Sequence, residues 1–257
     1  MIELGTTNIN QAYLGTTPIY LYQLGTTTIR YEIPTSIFDG TNDFLTKTGG
    51  LSGAADSKTG ILSLWVKFNG GDGTRQDILY NSTGIVVRRQ NNNKLEIYGF
   101  TTGVVQNMFM SSTGTITADG NFHHVLASWD LAAGVGYLYI DGTNVLDTGT
   151  DLFSNSNVIY SGLDFYVGAS GAGSNMSNAT YGQIYFNTAA SIDLSNAANR
   201  AKFYKGSPVY MGPTGAIPTG SQPILYLNNP YTTFQTNLGS GGNFTVTGAL
   251  TDGGRYP

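Results

Sequence analysis

The chain has 257 residues, of which Gly, Thr, Asn and Ser supply 108, and only 11% of its residues are charged. Aromatic side chains still reach 12%, with 17 tyrosines, which excludes a disordered chain and favours an all-β protein with a sizeable core. The net charge of −4 and scattered basic residues, with Arg88-Arg89 as the one adjacent pair, match no nucleic-acid backbone.

The first elements are repeats. Leu-Gly-Thr-Thr occurs at Leu4–Thr7, Leu14–Thr17 and Leu24–Thr27, and an isoleucine follows each copy at the same offset: Ile9, Ile19 and Ile29. Glycine permits the turns and β-branched or tyrosine residues favour the strands, so residues 1–33 read as a small β-repeat head. Such a meander is marginal alone in water. Tyr13, Ile19, Tyr20, Leu21 and Tyr22 therefore need another surface, either the main body of the same chain or a larger assembly to which the head docks. Three matched repeats also permit a homotrimeric arrangement of heads.

Pro34 closes the head, and residues 34–257 read as one domain of short strands separated by Gly, Asn, Asp and Ser clusters. Strands are expected at 43–47, 60–68, 77–81, 85–89, 95–100, 104–111 and 122–130. More are expected at 136–140, 143–146, 164–168, 183–187, 224–227 and 244–248. Asp141-Gly142 suits a type I′ turn between two of them. One short helix, capped by Asp193 or Ser195, is expected through Tyr204, and the Pro- and Gly-rich stretch 207–223 reads as a long surface connection.

Four segments carry a family resemblance: Phe38-Asp-Gly-Thr-Asn-Asp-Phe44, Leu62-Ser-Leu-Trp-Val-Lys-Phe68, Phe122-His-His-Val-Leu-Ala-Ser-Trp-Asp130 and Gly136-Tyr-Leu-Tyr-Ile-Asp-Gly142. In this order, and followed by Tyr181-Gly-Gln-Ile-Tyr-Phe186, the series resembles the laminin-G-like branch of the concanavalin A-like jelly rolls. The resemblance covers about residues 35–205 and implies an all-β jelly-roll sandwich with one short helix behind the small N-terminal β-repeat segment. The flanks are similar to those of laminin-G-like proteins of tailed-bacteriophage virions, through the Leu-Gly-Thr-Thr units and the segments 218–227 and 237–247. That likeness implies a virion structural protein of tail or head fibre, spike or decoration type. Its partners would be other virion proteins, reached through the repeats, and either host-surface glycan or, for a protein that only decorates and reinforces the particle, no glycan at all. The polar start after Met1 reads as lacking a signal peptide, in keeping with assembly in a host cytoplasm.

Chemistry is weakly signalled. With no cysteine, disulfides, thiol catalysis and thiolate zinc sites are excluded, and no apolar run of about 18 residues marks membrane insertion. The rival reading, a polysaccharide depolymerase, needs two carboxylates flanking the scissile bond. The chain has only three glutamates, Glu3, Glu32 and Glu96, in no such pattern. His123 and His124 are adjacent, so on a strand one faces the core and the other solvent. No catalytic residue is expected. The resemblance implies that relatives hold calcium through loop oxygens, which makes Asp39, Asn42 and Asp43, or Asp72 with Asp77, the candidates here. The same residues beside glycine also serve ordinary tight turns. Trp65 and Trp129 read as sandwich core. Tyr80, Tyr98, Phe100, Tyr160 and Tyr166, with Arg88 and Arg89 near them in the chain, are the candidate glycan platform; buried rings with only the hydroxyl wet are the alternative.

Overall fold

Along Thr59–Phe68, Leu62, Leu64, Val66 and Phe68 face one way, Ile61, Ser63 and Trp65 the other, and all seven are buried. A strand buried on both faces belongs in the middle of a sheet that is covered on both sides.

The computed structural model describes residues 31–81, 83–171 and 173–257, and the backbone of four short head strands. These are β1 (Ala12–Leu14), β2 (Thr17–Ile19), β3 (Gln23–Leu24) and β4 (Thr27–Thr28), paired antiparallel as β1-β2 and β3-β4. Of the expected docking residues, Tyr13 and Ile19 lie in β1 and β2, described by backbone alone, and Tyr20, Leu21 and Tyr22 lie outside the described residues. The body begins with β5 (Ile33–Asp39), β6 (Phe44–Lys47), β7 (Thr59–Phe68), β8 (Gln76–Asn81), β9 (Ile85–Arg89) and β10 (Lys94–Phe100). It continues with β11 (Gln106–Thr115), β12 (His123–Asp130), β13 (Val135–Ile140), β14 (Thr143–Asn144), β15 (Leu152–Phe153) and β16 (Phe165–Val167). β17 (Asn178–Asn187), helix α1 (Ala197–Arg200), β18 (Leu225–Leu227), β19 (Thr245–Thr247) and β20 (Thr251–Tyr256) complete it.

Two antiparallel sheets of eight strands form a jelly-roll sandwich. One runs β15-β11-β10-β9-β8-β16-β6-β19; the other runs β14-β13-β12-β7-β17-β5-β20, with β18 joined to β17. Leu62, Leu64, Val66 and Phe68 of the second sheet share one core with Leu45, Leu79, Ile85, Val87, Leu95, Ile97, Met108 and Met110 of the first. Trp129 is fully buried in that core, and its indole lies against Gly60 of the adjacent β7, where any Cβ would collide with the ring. Asp141 (φ 51°) and Gly142 (φ 77°) both adopt the left-handed conformation that a type I′ turn requires, and β14 folds back on β13 as expected.

Every strand expected between residues 43 and 248 has a counterpart, whereas β5, β15 and β20 were not expected. Pro34 does not end an element but is the second residue of β5. The ladder from β5 to β17 runs only from Ser36 to Asp39, so upstream the proline meets edge strand β20 alone, opposite Arg255. β20 contains Gly253-Gly254, where its register shifts, and ends on Tyr256, whose ring packs 5.0 Å from Trp65 and 4.5 Å from Phe122.

Three further expectations are corrected. Trp65 is buried, but on the outer face of the second sheet with Tyr31 and Ile33 rather than between the sheets. The helix is a single turn capped by Asn196, whose side chain accepts the Ala198 N–H, because Asp193 is already occupied by the N–H and hydroxyl of Ser195. The 207–223 stretch does not merely connect. It buries Pro208 and Met211, and with Leu194 and Phe203 it covers the outer face of the second sheet over Ile61, Leu126, Tyr139, Tyr185 and Tyr226. Among the described residues no helix is long and apolar enough to cross a membrane.

Candidate functional site: the open face of the first sheet

The outer face of the first sheet has no such covering layer among the described core clusters. Alternation places Ile85, Val87 and Arg89 of β9 inward and Val86 and Arg88 outward; in β10, Leu95 and Ile97 point inward and Glu96, Tyr98 and Phe100 outward. The ladder then sets the outward residues in line. Thr245 is opposite Thr46, Thr46 opposite Tyr166, Tyr166 opposite Tyr80 and Tyr80 opposite Val86. Val86 is opposite Tyr98, Tyr98 opposite Phe109 and Phe109 opposite Leu152. One register line therefore crosses all eight strands, and Tyr166, Tyr80, Tyr98 and Phe109 on it are all half-buried. Their rings approach in pairs, Tyr80 and Tyr166 at 6.3 Å between centroids and Tyr98 and Phe109 at 4.8 Å, with Phe100 stacked on Tyr98 at 6.1 Å.

Beside the row lies a polar knot. Arg88 Nε donates to Glu96 Oε2 at 2.9 Å, Arg88 Nη2 donates to the Tyr98 hydroxyl at 2.6 Å, and that hydroxyl donates to Glu96 Oε2 at 2.8 Å. The guanidinium also lies over the Tyr98 ring, 4.3 Å from its centroid. Burial, reinforced by the hydrogen bond to Glu96, pushes the Tyr98 phenol up to about 12, so it stays a neutral donor. Arg75 grips Asp77 through two parallel bonds of 2.8 and 2.7 Å. The Tyr166 hydroxyl reaches Asp164 at 3.4 Å, and burial, followed by that carboxylate's charge, raises its pKa.

The structure thus brings Tyr80, Arg88, Tyr98, Phe100 and Tyr166 onto one face, but not Tyr160 or Arg89. Tyr160 is 1% exposed; its hydroxyl accepts from Trp129 Nε1 at 3.0 Å and donates to the Thr59 carbonyl at 3.2 Å. Its backbone N–H is held by Asp56, which draws this loop residue into the core. Arg89 is fully buried, lies over the Phe68 ring, and ties Asp72 to the carbonyls of Gly70 and Gly71. Phe109 and Glu96 complete the face and were not singled out as ligand residues from the sequence. The signal was available for Phe109, which alternates with the core residues Met108 and Met110.

The other candidate groups are engaged elsewhere. Asp39 Oδ1 accepts the N–H groups of Thr41, Asn42 and Asp43, and although burial opposes it, these bonds hold its carboxyl below the usual range. Asp43, 3% exposed, accepts the N–H of Asp39 on one oxygen and that of Ala249 on the other, at 2.7 Å. Asp72 accepts from Arg89 and the Ala118 N–H, and Asp77 from Arg75. Among the described residues no three His, Asp or Glu side chains converge as metal ligands. His123 and His124 divide as strand alternation requires. His124 is buried, 2.9 Å from Ser63 Oγ and stacked on Tyr204, while the half-buried His123 has Asp141 at 2.7 Å and Asp119 at 3.4 Å on its two ring nitrogens.

With a closed sandwich, one covered outer face and one aromatic outer face, the molecule has the architecture of a lectin-type β-sandwich. A proposed carbohydrate-binding protein from Bacteroides ovatus superposes with a TM-score of 0.62 at 10% identity, over 93% of this chain and 68% of that one. The native heptameric SAP-like pentraxin from Limulus polyphemus gives 0.52 at 10% identity, over 86% and 94% of the two chains. No curated protein sequence matches the chain. Residues 39–190 match the laminin G-type family described as the concanavalin A-like lectin/glucanases superfamily, and the chain belongs to that family.

Proposed function

We propose that this chain binds glycan without cleaving it, through the outer face of the first sheet, as a display module of a tailed-phage virion. The observation that carries the binding reading is the row of rings Tyr166, Tyr80, Tyr98 and Phe109, half-exposed on one face on either side of the buried Val86, while the opposite face is covered by the chain itself. Aromatic rings beside hydroxyl and carboxylate acceptors suit the apolar faces and hydroxyl edges of sugars. The family and the Bacteroides ovatus likeness support this class of ligand. The non-catalytic part of the reading rests on the carboxylates of the face. Asp77 and Glu96 are each held by an arginine, so neither is poised as a general acid. The virion assignment rests on the likeness of the Leu-Gly-Thr-Thr head and the C-terminal segments to phage proteins, with the head as the docking element.

The test is glycan-array binding of the full chain, soluble and displayed in many copies. Shallow single sites bind weakly, and linking copies raises avidity by about 10²–10⁴. Binding by the multimer that is lost in Tyr80→Ala supports the reading. Release of oligosaccharide from a bound polysaccharide would replace it with the depolymerase reading. Deleting residues 1–33 should leave a folded body that fails to enter particles; normal incorporation of that truncation would refute the docking role.

A further inference from the structure

We infer that the ligand of the open face is an uncharged, extended glycan chain that lies across the strands along the Tyr166–Tyr80–Val86–Tyr98–Phe109 row; this rests on the glycan-binding reading above. The first argument is charge. The cations beside the row are already committed: Arg88 to Glu96 and the Tyr98 hydroxyl, Arg75 in two parallel bonds to Asp77, and Lys94, further along β10, to Asp147 at 3.4 Å. The Arg88 and Glu96 side chains are only 15% and 10% exposed, so a carboxylate or sulfate on the ligand would have to break a largely desolvated pair to gain a cation. Asp164 sits beside Tyr166, and its oxygens accept from the Gly49 N–H and the Tyr166 hydroxyl. Around the row, then, Arg75, Arg88 and Lys94 are cancelled by Asp77, Glu96 and Asp147, and Asp164 leaves the face acidic. Such a surface repels uronic, sialic and sulfated sugars. It still offers acceptors to hydroxyl groups: Glu96 Oε2 gathers Arg88, Tyr98 and Gln90, and Oε1 takes part in none of these bonds.

The second argument is spacing. The rings come as two pairs, Tyr166 with Tyr80 on β16 and β8, and Tyr98 with Phe109 on β10 and β11, separated by Val86 on β9. Strands lie about 4.8 Å apart, which puts Tyr80 and Tyr98 roughly 10 Å apart along the row. That is about the length of a disaccharide repeat in an extended chain. A disaccharide therefore meets one aromatic pair, and a chain of four or more sugars meets both.

The experiment uses the full chain coupled at high density to a sensor surface. The probes are uncharged polysaccharides (laminarin, galactomannan, xyloglucan), acidic ones (alginate, polysialic acid, heparin), and oligosaccharides of two to six sugars from any uncharged binder. Binding to an uncharged polysaccharide is expected, with at least tenfold weakening in Tyr80→Ala and in Tyr98→Ala, and at least tenfold tighter binding of the hexasaccharide than the disaccharide. Thermal melts of both variants confirm that they are folded; should one fail, Tyr166→Ala serves in its place. Salt-sensitive binding of an acidic polysaccharide that is lost in Tyr80→Ala would overturn the charge inference while leaving the face as the glycan site. Equal affinity for disaccharide and hexasaccharide would overturn the crossing of the row. Glycan binding unaffected by all three substitutions, or none by any probe, would overturn the site itself and the inference with it.

Discussion

The two sheets have nearly the same inner faces and opposite outer ones. Outside the second sheet, Ile61, Trp65, Leu126, Tyr139, Tyr185 and Tyr226 are covered by Leu194, Phe203, Met211 and, at one corner, Tyr31 and Tyr204. Outside the first, Tyr80, Tyr98, Phe109 and Tyr166 are equally aromatic and half-buried, and among the described residues their rings meet one another, Phe44, Phe100 and a few charged groups. Aromatic content therefore does not tell core from surface here. The difference lies in where the chain goes after β17: residues 189–223 cross one sheet, and no described segment does the same for the other. A face that keeps its rings while the chain covers the opposite one is where binding is to be sought.

The largest expected effects come from the two tryptophans, which lie on opposite sides of β7. Trp129→Ala and Trp65→Ala should each cost about 3–5 kcal/mol in denaturant melts, because both rings are almost wholly buried. Replacement by Phe separates them. Trp129 Nε1 donates to the Tyr160 hydroxyl, so Trp129→Phe also removes one of that buried hydroxyl's two hydrogen bonds and should cost roughly 0.5–1.5 kcal/mol for that alone. Trp65 Nε1 is buried without a hydrogen-bond partner, so Trp65→Phe loses volume but no bond and should cost less. Tyr80→Ala on the open face should cost less than either alanine variant. A Tyr80→Ala loss as large as that of Trp65→Ala would erase the distinction between the two faces.

Much of the fold was legible because strands alternate and turns carry their own residues. Asp141-Gly142 announced its hairpin, and the order of the four motifs from Phe38 to Gly142 announced the sandwich. What escaped was decided by tertiary partners. β5 hides behind Pro34 and β20 behind Gly253-Gly254; β5 is a strand because it lies between β17 and β20, and β20 because β5 lies beside it. Tyr160 looks like its neighbours in composition, and only its bonds to Trp129 and Asp56 put it inside. The candidate face was legible as a set of tyrosines but not as a row. A row needs the register between strands, and the bulge between Asp77 and Leu79 shifts that register by a residue no sequence pattern marks.

The histidines at the edge of the covered sheet give opposite pH signatures. Burial pushes the His124 imidazole down to about 3, so it is neutral in the folded protein, whereas the unfolded chain takes up a proton near 6.5. Its contribution is full above pH 6.5, and stability should fall as pH drops from there towards 3, by up to ~1.4 kcal/mol per pH unit. His123 is raised, first by its hydrogen bond to Asp141, against desolvation, with the charge of Asp141 adding to it. Its stabilisation is full below pH 6.5 and is lost as pH rises through the higher folded value. His124→Gln should flatten the acid limb of a Tm-versus-pH curve, and His123→Gln the limb above 6.5. Unchanged curves would mean that both rings titrate as in the unfolded chain.

A smaller effect is expected at the tip of the β10–β11 hairpin, on the open sheet. Val104 has φ 58°, a left-handed conformation that costs a β-branched residue about 1–2 kcal/mol, and its side chain is 58% exposed. Val104→Gly should raise stability by about 0.5–1 kcal/mol, since glycine removes the strain at some entropic cost and little packing is lost. If the variant is instead less stable, the valine is held by contacts that its exposure conceals.

The smallest effect is expected at the seam between the two sheets. β19 ends the first sheet and β20 begins the edge of the second, and the residues joining them are fastened by the Ala249 N–H donating to Asp43 Oδ1. The same turn carries Asp39, Asn42 and Asp43, whose oxygens suit calcium by type. Calcium takes 6–8 oxygen ligands, however, and here Asp43 has an N–H on each oxygen while Asp39 Oδ1 has three. Backbone donors already stabilise these carboxylates, and a cation would have to compete with them for the same lone pairs. Adding calcium or chelator should therefore leave Tm unchanged, while Asp43→Ala lowers it by freeing the Ala249 N–H at the seam. A calcium-dependent rise in Tm that Asp43→Ala abolishes would make the seam a metal-held junction, and would tie the open sheet to the covered one by an ion rather than by hydrogen bonds.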